Sequence, residues 1–124
     1  MSVRQNQDRW IAALKSDEYE KGFGALHSKS DCFCAMGVAL KALGFSPEPE
    51  PDPFTGDFRY RGHLGTAPAA LVKALALRSS TGSLLDNPEG YSSITAMNDQ
   101  SKLTLPQIGE WIEANREKVF TTCS

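Results

Sequence analysis

Apolar positions at helical spacing open the chain. Trp10, Ile11 and Leu14 fall on one side, with Val3 one to two turns earlier, while Arg4, Asp8, Arg9 and Lys15 fill the wet positions. This predicts a helix over about 3–16. Asp17 to Gly22 ends the pattern, Gly22-Phe23-Gly24 is permissive backbone, and Ala25-Leu26-His27 reads as a short extended piece. A second helix is predicted over Cys32 to Leu43, with Asp31 as N-cap and Gly44 as the glycine after its end. Phe33, Met36, Leu40 and Leu43 form one stripe, and Cys34, Val38 and Ala42 add a second flank. A helix apolar on most faces is central. Gly37 in mid-helix costs about 1 kcal/mol relative to alanine, so its expected use is close approach by a neighbouring element.

Prolines then break the periodicity. In residues 46–53, four prolines alternate with Ser46, Glu48, Glu50 and Asp52, which excludes helix and predicts an extended surface connection. Phe54 to Arg61 reads as a small hairpin, with turn chemistry at Thr55-Gly56-Asp57 and Phe58 and Tyr60 alternating against Arg59 and Arg61. A third helix is expected with Thr66 as its cap, Pro68 in its first turn and Leu71, Val72 and Leu75 facing inward. Residues 78–90 form a loop with Leu84 and Leu85 tucked inward, and 91–97 a short helix. The last helix has the sharpest start signal, since Thr104-Leu105-Pro106-Gln107 is a capping box. Ile108, Trp111, Ile112 and Val119 form its buried stripe.

The fold class read from these elements is α+β, mostly α. It is a compact domain of four to five helices with a short β-hairpin after a Pro-rich loop, occupying residues 1–124 as one domain. With 124 residues the chain buries roughly two-thirds of its unfolded surface, enough for a core without staples. Charged residues are 23% and the formal net charge is −2, which disfavours disorder and a nonspecific nucleic-acid coat. The longest apolar run, Phe33 to Leu40, is too short to span a bilayer. The first residues hold no apolar signal-peptide region. Three cysteines, Cys32, Cys34 and Cys123, make a poor disulfide framework. The expectation is reduced thiols in a cytoplasmic protein, with Cys123 at a frayed end.

Three motif islands stand out: Trp10-Ile11-Ala12-Ala13-Leu14-Lys15-Ser16 with Tyr19, Gly22, Gly24 and Leu26; Cys32-Phe33-Cys34-Ala35-Met36-Gly37-Val38; and Met97-Asn98-Asp99 followed by Ile108-Gly109-Glu110-Trp111-Ile112-Glu113. In order and spacing they resemble a group of short uncharacterised proteins of tailed phages, prophages and bacteria. Those share a W-x-x-A-L start, a C-C-L-G-V-L-type helix and an L-N-D…I-A-x-x-I-E-type C-terminal helix. Here Cys32-Phe33-Cys34 stands for the adjacent cysteines, Lys21 for a glutamine and Met97 for a leucine. The group carries no established activity. The resemblance implies a mostly helical phage-type accessory domain, such as a counter-defence or host-takeover inhibitor, and no particular reaction.

The candidate chemistry is sparse. Cys34 in the first turn of a helix, with His27 or His63 as base and Asn98 or Asp99 as orienting group, is the thiol-enzyme alternative. Against it, free cysteine packs as a small hydrophobe, and every neighbour in that helix reads as core. Cys32, Cys34, His27 and His63 number enough for zinc, but Cys-x-Cys on a helix points its sulfurs about 200° apart, so no metal is assigned. A calcium loop from Asp99 to Glu110 is rejected because Thr104 and Pro106 already start a helix. Asn98-Asp99 reads instead as a turn bonding local backbone. Arg59, Arg61 and His63, with Phe58 and Tyr60 interleaved, are expected on one strand face that grips a phosphate, a nucleotide or an acidic surface. Binding is favoured over catalysis. The expected partner is a host protein or a small anionic ligand, with no cofactor and no membrane; nucleic acid through Arg59 and Arg61 is the weaker reading.

Overall fold

The computed structural model describes residues 2–86 and 90–122. The expected frayed end at Cys123 and the middle of the 78–90 loop lie outside those residues. Among the described residues six helices, α1 (Val3–Lys15), α2 (Ala35–Ala42), α3 (Ala69–Leu75), α4 (Ile94–Gln100), α5 (Leu105–Ala114) and α6 (Arg116–Val119), accompany two short strands, β1 (Glu20–Lys21) and β2 (Cys32–Phe33). The class is α+β and mostly α. No helix among the described residues is long and apolar enough to cross a membrane.

α1 packs on α5, α2 and α3, and α2 also meets α4. Trp10, Leu14, Val38, Leu40, Leu71, Ile94 and Ile112 all lie in one buried cluster. The periodic residues of α1 are thus the ones buried, and Trp10 Nε1 donates to the Ala35 carbonyl at 2.9 Å, so its polar edge is satisfied. Gln7, also buried, donates to Leu75 O (3.0 Å) and Thr122 O (2.7 Å), tying α1 to the end of α3 and to the C-terminal segment. Gly37 meets the expected close approach: a Cβ built there would lie 1.7 Å from the Leu26 carbonyl oxygen.

Four local expectations change. α2 begins at Ala35 with Cys34 as N-cap, because Cys32 and Phe33 pair in parallel with Glu20 and Lys21. Pro68, not Thr66, is the N-cap of α3 and lies outside its first turn, since φ −63° and ψ 155° keep it extended. The predicted 91–97 helix starts at Ile94, where Ser93 accepts from Ala96 N, and runs on to Gln100; ahead of it Leu84 is buried while Leu85 is exposed. The last helix divides at Asn115, which places Val119 in α6.

The capping box of α5 is complete. The Thr104 side chain accepts from Gln107 N at 3.2 Å and Gln107 Oε1 accepts from Thr104 N at 2.9 Å. Thr104→Ala should cost about 1 kcal/mol in urea titration. A loss below a few tenths would mean that packing alone sets this end.

The hairpin also differs. Its turn does centre on Thr55-Gly56-Asp57, with Gly56 at φ +78°. Asp52 organises it, its carboxylate accepting from Phe54 N, Thr55 N and Thr55 Oγ1. The arm facing 57–59 is the proline segment itself: Asp52 N donates to Asp57 O and Glu48 N to Arg59 O, both at 2.8 Å. The chain bends at Pro49-Glu50 between these two bonds, and the prolines, which carry no N–H, leave the pairing to Glu48 and Asp52. A second reversal follows at once. Tyr60 and His63 exchange both backbone hydrogen bonds across Arg61 and Gly62, at φ +53° and +86°.

Candidate functional site

This second turn decides the fate of the expected basic face. Because the chain reverses at Arg61-Gly62, Arg59, Arg61 and His63 do not share one strand face. Arg59 Nε lies 3.7 Å from Glu48 Oε1. The other Glu48 oxygen accepts from Gly62 N, so this acid is committed to the turn. Arg61 extends over the ring of Phe45, 5.2 Å from its centroid. Tyr60 is buried in the core. Strict alternation assumed one continuous strand, and two consecutive left-handed residues end it.

Tyr60 instead meets His27. His27 Nδ1 lies 3.0 Å from Tyr60 Oη, and Nε2 lies 2.6 Å from Asp31 Oδ1. A carboxylate only accepts, so Nε2 carries a hydrogen; in the neutral ring Nδ1 then accepts from the Tyr60 hydroxyl. The imidazole is stacked on Phe33, centroids 4.1 Å apart, and tilted against Phe58 at 4.4 Å. Asp31 reaches it from a left-handed residue, φ +61°. Burial, with the Asp31 charge in the same direction, holds the Tyr60 hydroxyl above the usual phenol range. His27 thus joins β2 to the segment carrying Phe58, a joint of buried aromatic groups with every ring nitrogen engaged.

Cys34 is 4% exposed. Both hydrogen bonds of the His27 ring go to Tyr60 and Asp31, and the one side-chain bond of His63 goes to Thr66 Oγ1 at 3.1 Å. Burial pushes the Cys34 thiol up to about 11, outweighing the downward pull of the Gly37 and Met36 amides at the start of α2. With the ordinary value at 9, that leaves about a hundredfold less thiolate at neutral pH. Native Cys34 should resist iodoacetamide at pH 7.5 while half-buried Cys32 is alkylated well before it, read by mass spectrometry of the alkylated peptides. The linkage has a definite sign. A thiol with a raised folded value stabilises below pH 9 and loses that contribution as pH rises towards 11. The urea midpoint should fall across that window, and less steeply in Cys34→Ala.

Asn98 and Asp99 lie inside α4, not in a turn, and their partners are distant. Asn98 Oδ1 accepts from Ala35 N at 3.0 Å, and Nδ2 donates to Gly22 O (3.0 Å) and Asp99 Oδ1 (2.9 Å). Asp99 Oδ1 also accepts from Gly24 N at 3.2 Å. One buried amide therefore holds the first N–H of α2 and the end of β1 together. Among the described residues no three His, Cys, Asp or Glu side chains converge as a metal site.

Two expected site residues border hollows: Arg61 one of about 450 Å³ beside Leu43 and Phe45, and His63 a larger one. A groove of about 630 Å³ runs between α3 and the C-terminal segment, lined by Val3, Ala67, Val72 and Leu77, with His63 and Lys73 as its titratable members. Leu77 bridges Phe120 in antiparallel fashion and Thr121 N donates to Ala76 O at 2.8 Å, which fixes the far wall. Ala76 ends α3 in left-handed conformation, φ 55°. Sequence reading missed this groove because its walls come from four separated segments.

A family model described as a domain of unknown function, DUF8296, matches residues 3–45, a span that holds the first two of the three motif islands. No curated protein and no solved structure matches the chain.

Proposed function

We propose that this protein acts by binding and that its receptor surface is the groove beside α3. The observation that carries this reading is the groove's chemistry. Its lining is mainly apolar, and among the described residues its titratable groups are Lys73 and His63, with no carboxylate. Such a surface suits an apolar group that ends in an acid, on a small ligand or on a partner's side chain. The accessory role implied by the resemblance to short phage and prophage proteins, counter-defence or host takeover, is a role that binding alone can serve. The thiol-enzyme alternative lacks support, because Cys34 is sealed and neither histidine hydrogen-bonds to it. The nucleic-acid alternative loses its concerted patch with the separation of Arg59 and Arg61.

Decanoate and N-acetyl-phenylalanine, titrated separately into labelled protein, test the reading. Amide shifts should concentrate at Ala67, Val72, Leu77 and Thr121, and Lys73→Glu should weaken them. Shifts scattered over the whole surface, or none at millimolar probe, would overturn it.

A further inference from the structure

One side chain outside the groove has no role in the fold. Phe54 is 95% exposed. Exposed aromatic rings are common on loose loops, but this loop is fixed. Asp52 accepts three hydrogen bonds from Phe54 and Thr55. Gly56 N donates to Asp52 O at 2.8 Å, and Lys29 N donates to Asp57 Oδ1 at 2.9 Å, fastening the turn to the body. The Asp52 carboxyl is held below its usual range by the Thr55 and Phe54 amides, which favour its charged, accepting form. The backbone ordering that a docking loop normally loses on binding is already spent here. Phe54 is flanked by Pro51 and Pro53 and by the acids Glu50, Asp52 and Asp57, with no basic residue from 46 to 58.

This tip is an apolar ring whose own segment carries only acids, with the Lys29 side chain beside Gly56 at its base, and it complements an apolar groove bordered by Lys73 and His63. We propose that Phe54 of one copy docks in the α3 groove of a second copy, making a weak tip-to-groove self-association. The proposal rests on the groove being a receptor surface, as read above. A phenylalanine side chain buries about 150–250 Å². So small a footprint, far below the roughly 1,200–2,000 Å² of a stable interface, makes the contact weak. Each copy offers one tip and one groove, so the contact is between unlike surfaces and can extend beyond two copies.

Sedimentation velocity on the full chain, from about 10 µM to about 1 mM at low salt, reads this directly. The wild type should pass from monomer to larger species, and added salt should weaken the association. Phe54→Ser and Ala69→Glu, both at exposed positions, should each stay monomeric alone. The first lacks the ring, and the second sets a negative charge in the groove wall. An equimolar mixture of the two retains one intact tip and one intact groove, and should form dimers and nothing larger. Monomer at every concentration, association unaffected by Phe54→Ser, or a mixture that stays monomeric would each overturn the proposal. If decanoate still moves the groove amides in a monomeric wild type, the self-docking fails and the receptor surface stands. If neither occurs, both fail.

Discussion

Gly37→Ala should be among the most damaging single-methyl changes in this protein. In an exposed helix the same substitution stabilises by about 1 kcal/mol. Here the new methyl would lie 1.7 Å from Leu26 O and 2.6 Å from Leu26 C, so backbone must move. Leu26 is not free to yield. It is fully buried, its N–H donates to Leu64 O at 2.7 Å, and the next residue is His27, held between Phe33 and Phe58. A loss of about 3 kcal/mol or more is expected in urea titration, a large share of the roughly 5–15 kcal/mol that holds an ordinary domain folded. A variant as stable as the parent would mean that Leu26 does not cross α2 at this distance.

Asn98→Ala should rank next. Removing the amide leaves Ala35 N–H and Gly22 C=O buried, each without the partner it has now. Orphaned buried groups cost about 1–3 kcal/mol each, so a loss of about 2–4 kcal/mol is expected. Asn98→Asp keeps the acceptor for Ala35 but turns an oxygen towards Gly22 O and the Asp99 carboxylate, and should do no better. Amide exchange locates the effect. Protection at Ala35 and across β1 and β2 should fall first, while α5 keeps its own. Uniform loss across the chain would show that Asn98 holds no particular junction.

What the sequence disclosed follows the range of each interaction. The α5 capping box, the buried face of α1 and the close approach at Gly37 depend on residues within a few turns or on the absence of one side chain, so they are legible locally. The start of α2 was misread because Cys32 and Phe33 look helical by composition, and only pairing with Glu20 and Lys21 makes them a strand. Asn98 was misread as a turn residue because its partners lie 63 and 76 positions away. The basic face failed at Arg61, where a non-glycine residue takes φ +53°. Gly62 after it was the available signal, since a glycine between alternating residues marks a reversal. The groove left no local trace, because its walls come from α1, the 63–67 segment, α3 and the C-terminal segment.

The alternating prolines of 46–53 bear on how copies of this chain can meet. A strand that adds to the edge of another needs donors as well as acceptors along that edge. Along the arm the ring nitrogens of Pro47, Pro49 and Pro51 carry no hydrogen, while the N–H groups of Glu48 and Asp52 are already taken by Arg59 and Asp57. A foreign strand therefore finds few donors to pair with there, which makes the arm a poor template for edge-to-edge growth. Whatever meets it must do so through side chains.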